Sequence, residues 1–334
     1  MLSTANPSTG MQPSSARRSA KAASSRRLLL FLFLSLLLYL LNVFRRRRLQ
    51  HAHDDDGDYS QASCTFANTP IHPVEEGARS KAYTSMHATS EAGLDLVRAV
   101  QGFATTDLFH FHDKSPSVKP IMQALETPVR AVVMPLTEPA STVDRLTSVV
   151  QKHLSTLPST LVWPQASAAP YHSSLHHASH HQNVVPLADV PGGRAAEIRG
   201  VAEAAAHACP LTLALARIVV TRGGAVVAGW RVNGGTEPAT LRKSLASALP
   251  WSPDKQLYAP PDIVHTTVAR VLSAPATSNT LARIRKAASA AESELCGLEL
   301  TVRELWHVEE SDVLALALGG RWSKHAIPLS GTTC

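Results

Sequence analysis

Two short segments share one pattern: a histidine, any residue, a serine or threonine, then an aliphatic. The first is Pro170-Tyr171-His172-Ser173-Ser174-Leu175 and the second Ile263-Val264-His265-Thr266-Thr267-Val268. In an extended strand, positions two apart point to the same face. His172 therefore stands beside Ser174, and His265 beside Thr267. Two strands that each offer an imidazole and a hydroxyl to one side predict a fold that sets two similar halves against each other.

The sequence around these cassettes predicts an α+β body. EAGLDLVRAVQGF (91–103) has Leu94, Val97 and Val100 at helical spacing behind Ser90, a candidate N-cap. DLFHFHD (107–113) alternates as a half-buried strand does, and VRAVVMPL (129–136) reads as a central strand. STVDRLTSVVQKHL (141–154) is amphipathic, and the Ala-rich stretch 195–208 is the next helix. LTLALARIVVT and AVVAGWRV flank a Gly-Gly turn, the signature of a hairpin. Helices over 237–249 and 276–295 bracket the second cassette, and 299–310 with 312–320 read as a closing hairpin. The order is a twofold-like repetition of small α+β units rather than a strict βαβ series.

The N-terminus has a different composition. It carries Arg17, Arg18, Lys21, Arg26, Arg27 and Arg45 to Arg48, and has no acid before Asp54. The formal charge of +6 belongs largely to this region, so it does not mark the body as a nucleic-acid binder. Between the basic blocks, residues 28–44 read LLLFLFLSLLLYLLNVF, without charge, Pro or Gly. At about 1.5 Å per residue the run spans roughly 25 Å, slightly less than a hydrocarbon core. It exceeds the usual apolar region of a cleaved signal peptide, and no small-residue cleavage site follows it. The expected layout is a basic disordered tail (1–27), a transmembrane anchor (28–44), a polar stem (45–80) and a folded domain (81–328). Membrane contact is expected through 28–44, as a single-pass type II protein of the endoplasmic reticulum or Golgi. The alternative is a plastid or mitochondrial membrane, since an acid-free Ser/Ala/Arg-rich leader also resembles a transit peptide.

Cys64, Cys209, Cys296 and Cys334 are too scattered to predict a disulfide framework or a CxxC site. Cys209 and Cys296 read as buried packing residues. No GxGxxG, GKS/T, GxSxG or HExxH pattern occurs, which argues against Rossmann, P-loop, α/β-hydrolase and zincin readings.

Cleaving a phosphodiester without a metal needs a base, an acid, and donors for the non-bridging oxygens. Two imidazoles supply the first two near neutral pH, and two hydroxyls the third. On these residues the sequence resembles the 2H phosphoesterase superfamily, of RNA ligase-like and cyclic nucleotide phosphodiesterase-like proteins, over roughly 125–320. Through YHSSLHHASHH (171–181) and QLYAPPDIVHTTVAR (256–270) it also looks like a plant-type branch with an N-terminal transmembrane segment. The resemblance implies a bilobal fold, with two pseudo-symmetric antiparallel-sheet lobes flanked by helices around a central cleft. It implies a metal-independent phosphoric diester hydrolase for a cyclic or linear nucleotide or RNA-end phosphodiester, with no cofactor. His172 and His265 would be the acid/base pair, and Ser174 and Thr267 the phosphate-orienting hydroxyls. Which histidine is acid and which base stays open, as does a register shift to His177 and Ser179.

Tyr171, His176, His177 and Arg270 are candidate residues of the cleft rim. His176, His177, His180 and His181 also invite a metal reading, but only Asp189 lies close in sequence to complete a set, and no metal is assigned. Trp230, Trp306 and Tyr171 are candidates to stack a base. The alternative function is a catalytically silent membrane protein of the same fold that binds a phosphorylated ligand or acts as a scaffold. No protein partner is implied.

Overall fold

The computed structural model describes Cys64, Phe66 and residues 70–97, 102–111, 118–165, 169–257, 263–273 and 278–331. The anchor read at 28–44 lies outside these residues. Among the described residues no helix is long and apolar enough to cross a membrane. In chain order the elements are α1 (Pro73–Glu91), α2 (Thr105–Leu108), β1 (Phe109–Phe111), β2 (Val118–Pro120), β3 (Ala124–Pro135), α3 (Ala140–Leu154), β4 (Val162–Pro164) and β5 (His172–Ser179). There follow α4 (Gly193–Ala206), β6 (Leu211–Val220), β7 (Ala225–Gly234), α5 (Pro238–Ala248), β8 (His265–Val271) and α6 (Ser278–Leu295). The last are β9 (Glu299–Val302), β10 (Glu304–Asp312), α7 (Ala315–Leu318) and β11 (Trp322–Pro328).

These build an α+β fold with two main antiparallel sheets. One has the strand order β11-β10-β3-β5 and the other β4-β8-β7-β6-β9. Each sheet carries one cassette, on β5 and on β8. β5 is an edge strand, and β4 pairs only with residues 269–271 of β8, so the cassette part of β8 is also an edge on that side. The two free edges meet, and β5 packs against β8 without pairing to it.

Buried polar contacts set the helices on this frame. Behind the four-stranded sheet, Arg130 of β3 donates through Nε and Nη2 to Glu197 of α4, at 2.9–3.1 Å, and His307 Nε2 donates to the same carboxylate at 2.9 Å. All three residues are buried. Such a bidentate pair costs desolvation but fixes orientation, here of α4 on the sheet. On the five-stranded sheet, the α1 ring of Tyr83 lies where a side chain on Gly229 would be, 2.7 Å from an added Cβ, so residue 229 has to be glycine. The Tyr83 hydroxyl accepts from the amides of Trp230 and Val264 at 3.1 and 3.2 Å, and donates to the Val264 carbonyl. It thereby joins β7 to the residue that precedes His265. Buried Arg79 of α1 pairs with Glu76 and with Glu237, the N-cap of α5.

Several expectations are corrected. The helix read at 91–103 with Ser90 as N-cap ends where it was expected to begin: α1 runs from Pro73 to Glu91, and the Ser90 hydroxyl donates to the His87 carbonyl in its last turn. Residues 73–80, assigned to the stem, are thus helical, with Pro at the first position and Glu75 and Glu76 in the first turn, as helix starts prefer. The run 299–310 is two strands in different sheets, divided at Arg303. DVLALALGG holds the end of β10 and the short helix α7, closed by Gly319 at φ +83°, and the terminal hairpin is β10–β11. Cys64 and Cys296 are disulfide-bonded, with Cα atoms 5.3 Å apart across a sequence separation of 232, and Cys209 is disulfide-bonded as well. Pairs that distant cannot be read from spacing.

Candidate functional site: a cavity between two histidine strands

The alternation expected of each cassette is present. His172 and Ser174 are half-buried while Ser173 and Leu175 are buried, and His265, Thr266, Thr267 and Val268 repeat the pattern. His172, Ser174, His265 and Thr267 all line one cavity of about 320 Å³. Val133, opposite Ser174 on β3, and Val227, opposite Thr267 on β7, contribute to its apolar wall.

The aliphatic residue that ends each cassette is a β-bulge. On β3, Val133 pairs with Ser174 and Val132 with His176, which leaves Leu175 without a partner. On β7, Val227 pairs with Thr267 and Val226 with Ala269, which leaves out Val268. An extra residue slips the alternation by one. The position five beyond each histidine therefore returns to the cavity, as His177 on one side and Arg270 on the other. A second slip at Ala178 turns Ser179 away, and its hydroxyl accepts from the Val185 amide at 3.1 Å. The His177/Ser179 register does not place both groups in the cavity.

His172 Nδ1 lies 3.1 Å from the Pro170 carbonyl. A carbonyl only accepts, so Nδ1 carries the proton and the lone pair of the neutral ring is on Nε2. Burial pushes His172 below its ordinary 6.5; the Pro170 bond pulls it back up, and Arg270 adds to the fall. Burial, then Arg242 and His172, hold His265 down at about 4. Both rings are neutral at pH 7 in the unliganded site. His177 is held at about 3, by burial and then by His180, His176 and His181.

Of the other candidates, His177 and Arg270 line the cavity and Tyr171 does not. Tyr171 is 5% exposed in the core, with its hydroxyl 3.4 Å from Thr147 of α3. His176 faces a neighbouring cavity, because the Leu175 bulge turns it away. Trp230 is fully buried and Trp306 nearly so, stacked on Trp322 and covered by Lys324, so neither offers an open ring face. No group of three or more His, Cys, Asp or Glu among the described residues is arranged to hold a metal.

Three contributors escaped the sequence reading. Glu310 of β10 lines the cavity; burial lifts its carboxyl to about 7, although it accepts from the Leu316 amide at 2.7 Å. The clue was its phase, for Trp306, Val308 and Glu310 share one strand face that is otherwise apolar. Arg242 of α5 donates to the carbonyls of Ser174, at 3.4 Å, and Ile263, at 2.9 Å, and so joins the two cassette strands. Nothing in the sequence distinguishes it from a surface helix arginine. Met86 of α1 also reaches the cavity, from a helix that was only partly foreseen.

No protein-family model matches the chain, and no curated protein matches it. Among solved structures it is similar to a conserved protein of unknown function from Agrobacterium tumefaciens, at 16% identity and a TM-score of 0.41, over 61% of this chain and 86% of that one. It is also similar to Kluyveromyces marxianus Usb1, at 13% identity and a TM-score of 0.36, over 60% of this chain and 98% of the other. Both scores are low, and the likeness carries no inference about activity.

Proposed function

We propose that the chain is a 2H-type phosphodiesterase, acting without a metal on a cyclic or linear nucleotide or RNA-end phosphodiester. The observation that carries this reading is the convergence of all four cassette side chains on one cavity, one pair from each sheet. The Ser174 and Thr267 hydroxyls donate to the non-bridging oxygens, and Arg270 offsets their charge. The Pro170 carbonyl favours the protonated form of His172, whereas Arg242 and His172 disfavour protonation of His265. The anionic substrate favours one proton on the pair. His172 then carries that proton to the leaving oxygen, and His265 takes a proton from the attacking hydroxyl or water.

Residues 28–44 tether this domain to a membrane in the same reading. The Cys64–Cys296 disulfide supports a lumenal placement, since disulfides persist in oxidising compartments. The test is a panel of nucleoside 2′,3′-cyclic phosphates and RNA ends, incubated with the full-length protein in EDTA. Turnover that withstands the chelator is expected. Binding without turnover across the panel would instead identify a silent phosphate-binding protein.

A further inference from the structure

A second cavity, of about 370 Å³, adjoins the first at His265, which lines both. One face of α5 (Ala239, Arg242, Lys243 and Ala246) forms a wall, and the loop 249–256 contributes another. His176 lines this cavity, is 5% exposed, and its Nε2 has no hydrogen-bond partner among the described residues. The Ser252 hydroxyl, in the same wall, is also buried without a partner among the described residues. Buried polar groups are nearly always satisfied, so two orphaned groups on residues that line one cavity point to a polar ligand. Arg242 brings positive charge to the boundary between the cavities and depresses His265. Lys243, which also lines the cavity, is exposed to solvent and has no ion pair among the described residues. Asp254, the one carboxylate lining the cavity among the described residues, is exposed.

Two cations, an imidazole and a hydroxyl, with one exposed acid among the described residues, make a set suited to phosphate oxygens. We infer that this cavity binds a second phosphate of the substrate, carried close to the diester being cleaved. The inference rests on the phosphodiesterase reading, and it narrows the substrate class from simple cyclic mononucleotides to phosphodiesters bearing a further phosphate. His265 would then stand between the two phosphates.

The experiment compares uridine 2′,3′-cyclic phosphate with the same nucleotide carrying a 5′-phosphate, on full-length protein and on Lys243→Met. In the wild type, kcat/KM is expected to favour the 5′-phosphorylated substrate by about tenfold. In Lys243→Met the ratio should collapse to about one. A general folding defect would lower both rates together and preserve the ratio. A wild-type ratio of one, or a ratio that survives the substitution, overturns the inference. Should neither substrate turn over, the phosphodiesterase reading fails, and inorganic phosphate then tests the subsite alone. A saturable shift of the His176 ring signal in NMR, lost in Lys243→Met, upholds it, and no shift overturns it.

Discussion

At the scale of single residues, the cavity is a set of titrating groups displaced from their ordinary ranges. The productive pair carries one proton on two imidazoles, so kcat/KM should be bell-shaped, with its maximum between the lowered pKa values of His265, about 4, and His172, below 6.5. A profile that peaks above pH 7 would contradict the assignment of this pair. Glu310 adds a charge of the wrong sign for phosphate once the pH passes its value of about 7. Glu310→Gln keeps an acceptor for the Leu316 amide and removes that charge. At pH 8 it should lower KM by a factor of about three to ten, and at pH 5.5 it should change nothing. An equal effect at both pH values would show that the carboxyl acts through packing. His172, Ser174, His265 and Thr267 were legible because period-two alternation is local. Glu310 and Arg242 were not, since their contributions depend on which strand and which helix fold beside them.

At the scale of elements, the cassettes are ordinary strands until the bulge, and the bulge brings Arg270 and His177 into the site. Pattern alone shows an aliphatic at Leu175 and Val268 but not that each lacks a ladder partner, which only pairing with β3 and β7 decides. The same limit hid α1. Its mixed polar sequence carries a weak amphipathic signal, and its place comes from Tyr83 under Gly229 and from Arg79 against Glu237. Because Arg79 is fully buried, Arg79→Met leaves the Glu237 carboxylate without its charged partner. A loss of about 3–5 kcal/mol of stability is expected, measured as a fall in the urea midpoint. The double variant Arg79→Met, Glu237→Gln should recover part of it. A loss under about 1 kcal/mol would mean that α1 is held by other contacts.

At the scale of the whole molecule, two sheets bring their free edges together and bury imidazoles at the junction. His176, at about 4, His177, at about 3, and His265, at about 4, all sit below the unfolded value of 6.5, so the folded chain binds fewer protons than the unfolded one across that interval. Their stabilising contribution is present above pH 6.5 and is lost as the pH falls toward 4. The urea midpoint should drop steeply over that window, and His265→Leu should make the drop shallower. A flat midpoint from pH 6.5 to 4.5 would contradict the burial of these rings. The α+β class, the β6–β7 hairpin and the helices α3 to α6 follow from periodicity, which is why they were legible. The sheet change at Arg303 and the Cys64–Cys296 bond join residues that no local pattern connects. The most direct measurement of the central claim is kcat/KM for a nucleoside 2′,3′-cyclic phosphate in the full-length wild type, His172→Ala, His265→Ala and the double variant. Each single variant is expected to lose about 10²–10⁴-fold, and the double little more than either, because an acid and a base acting on one phosphate fail together. Activity that survives both single substitutions would contradict the claim.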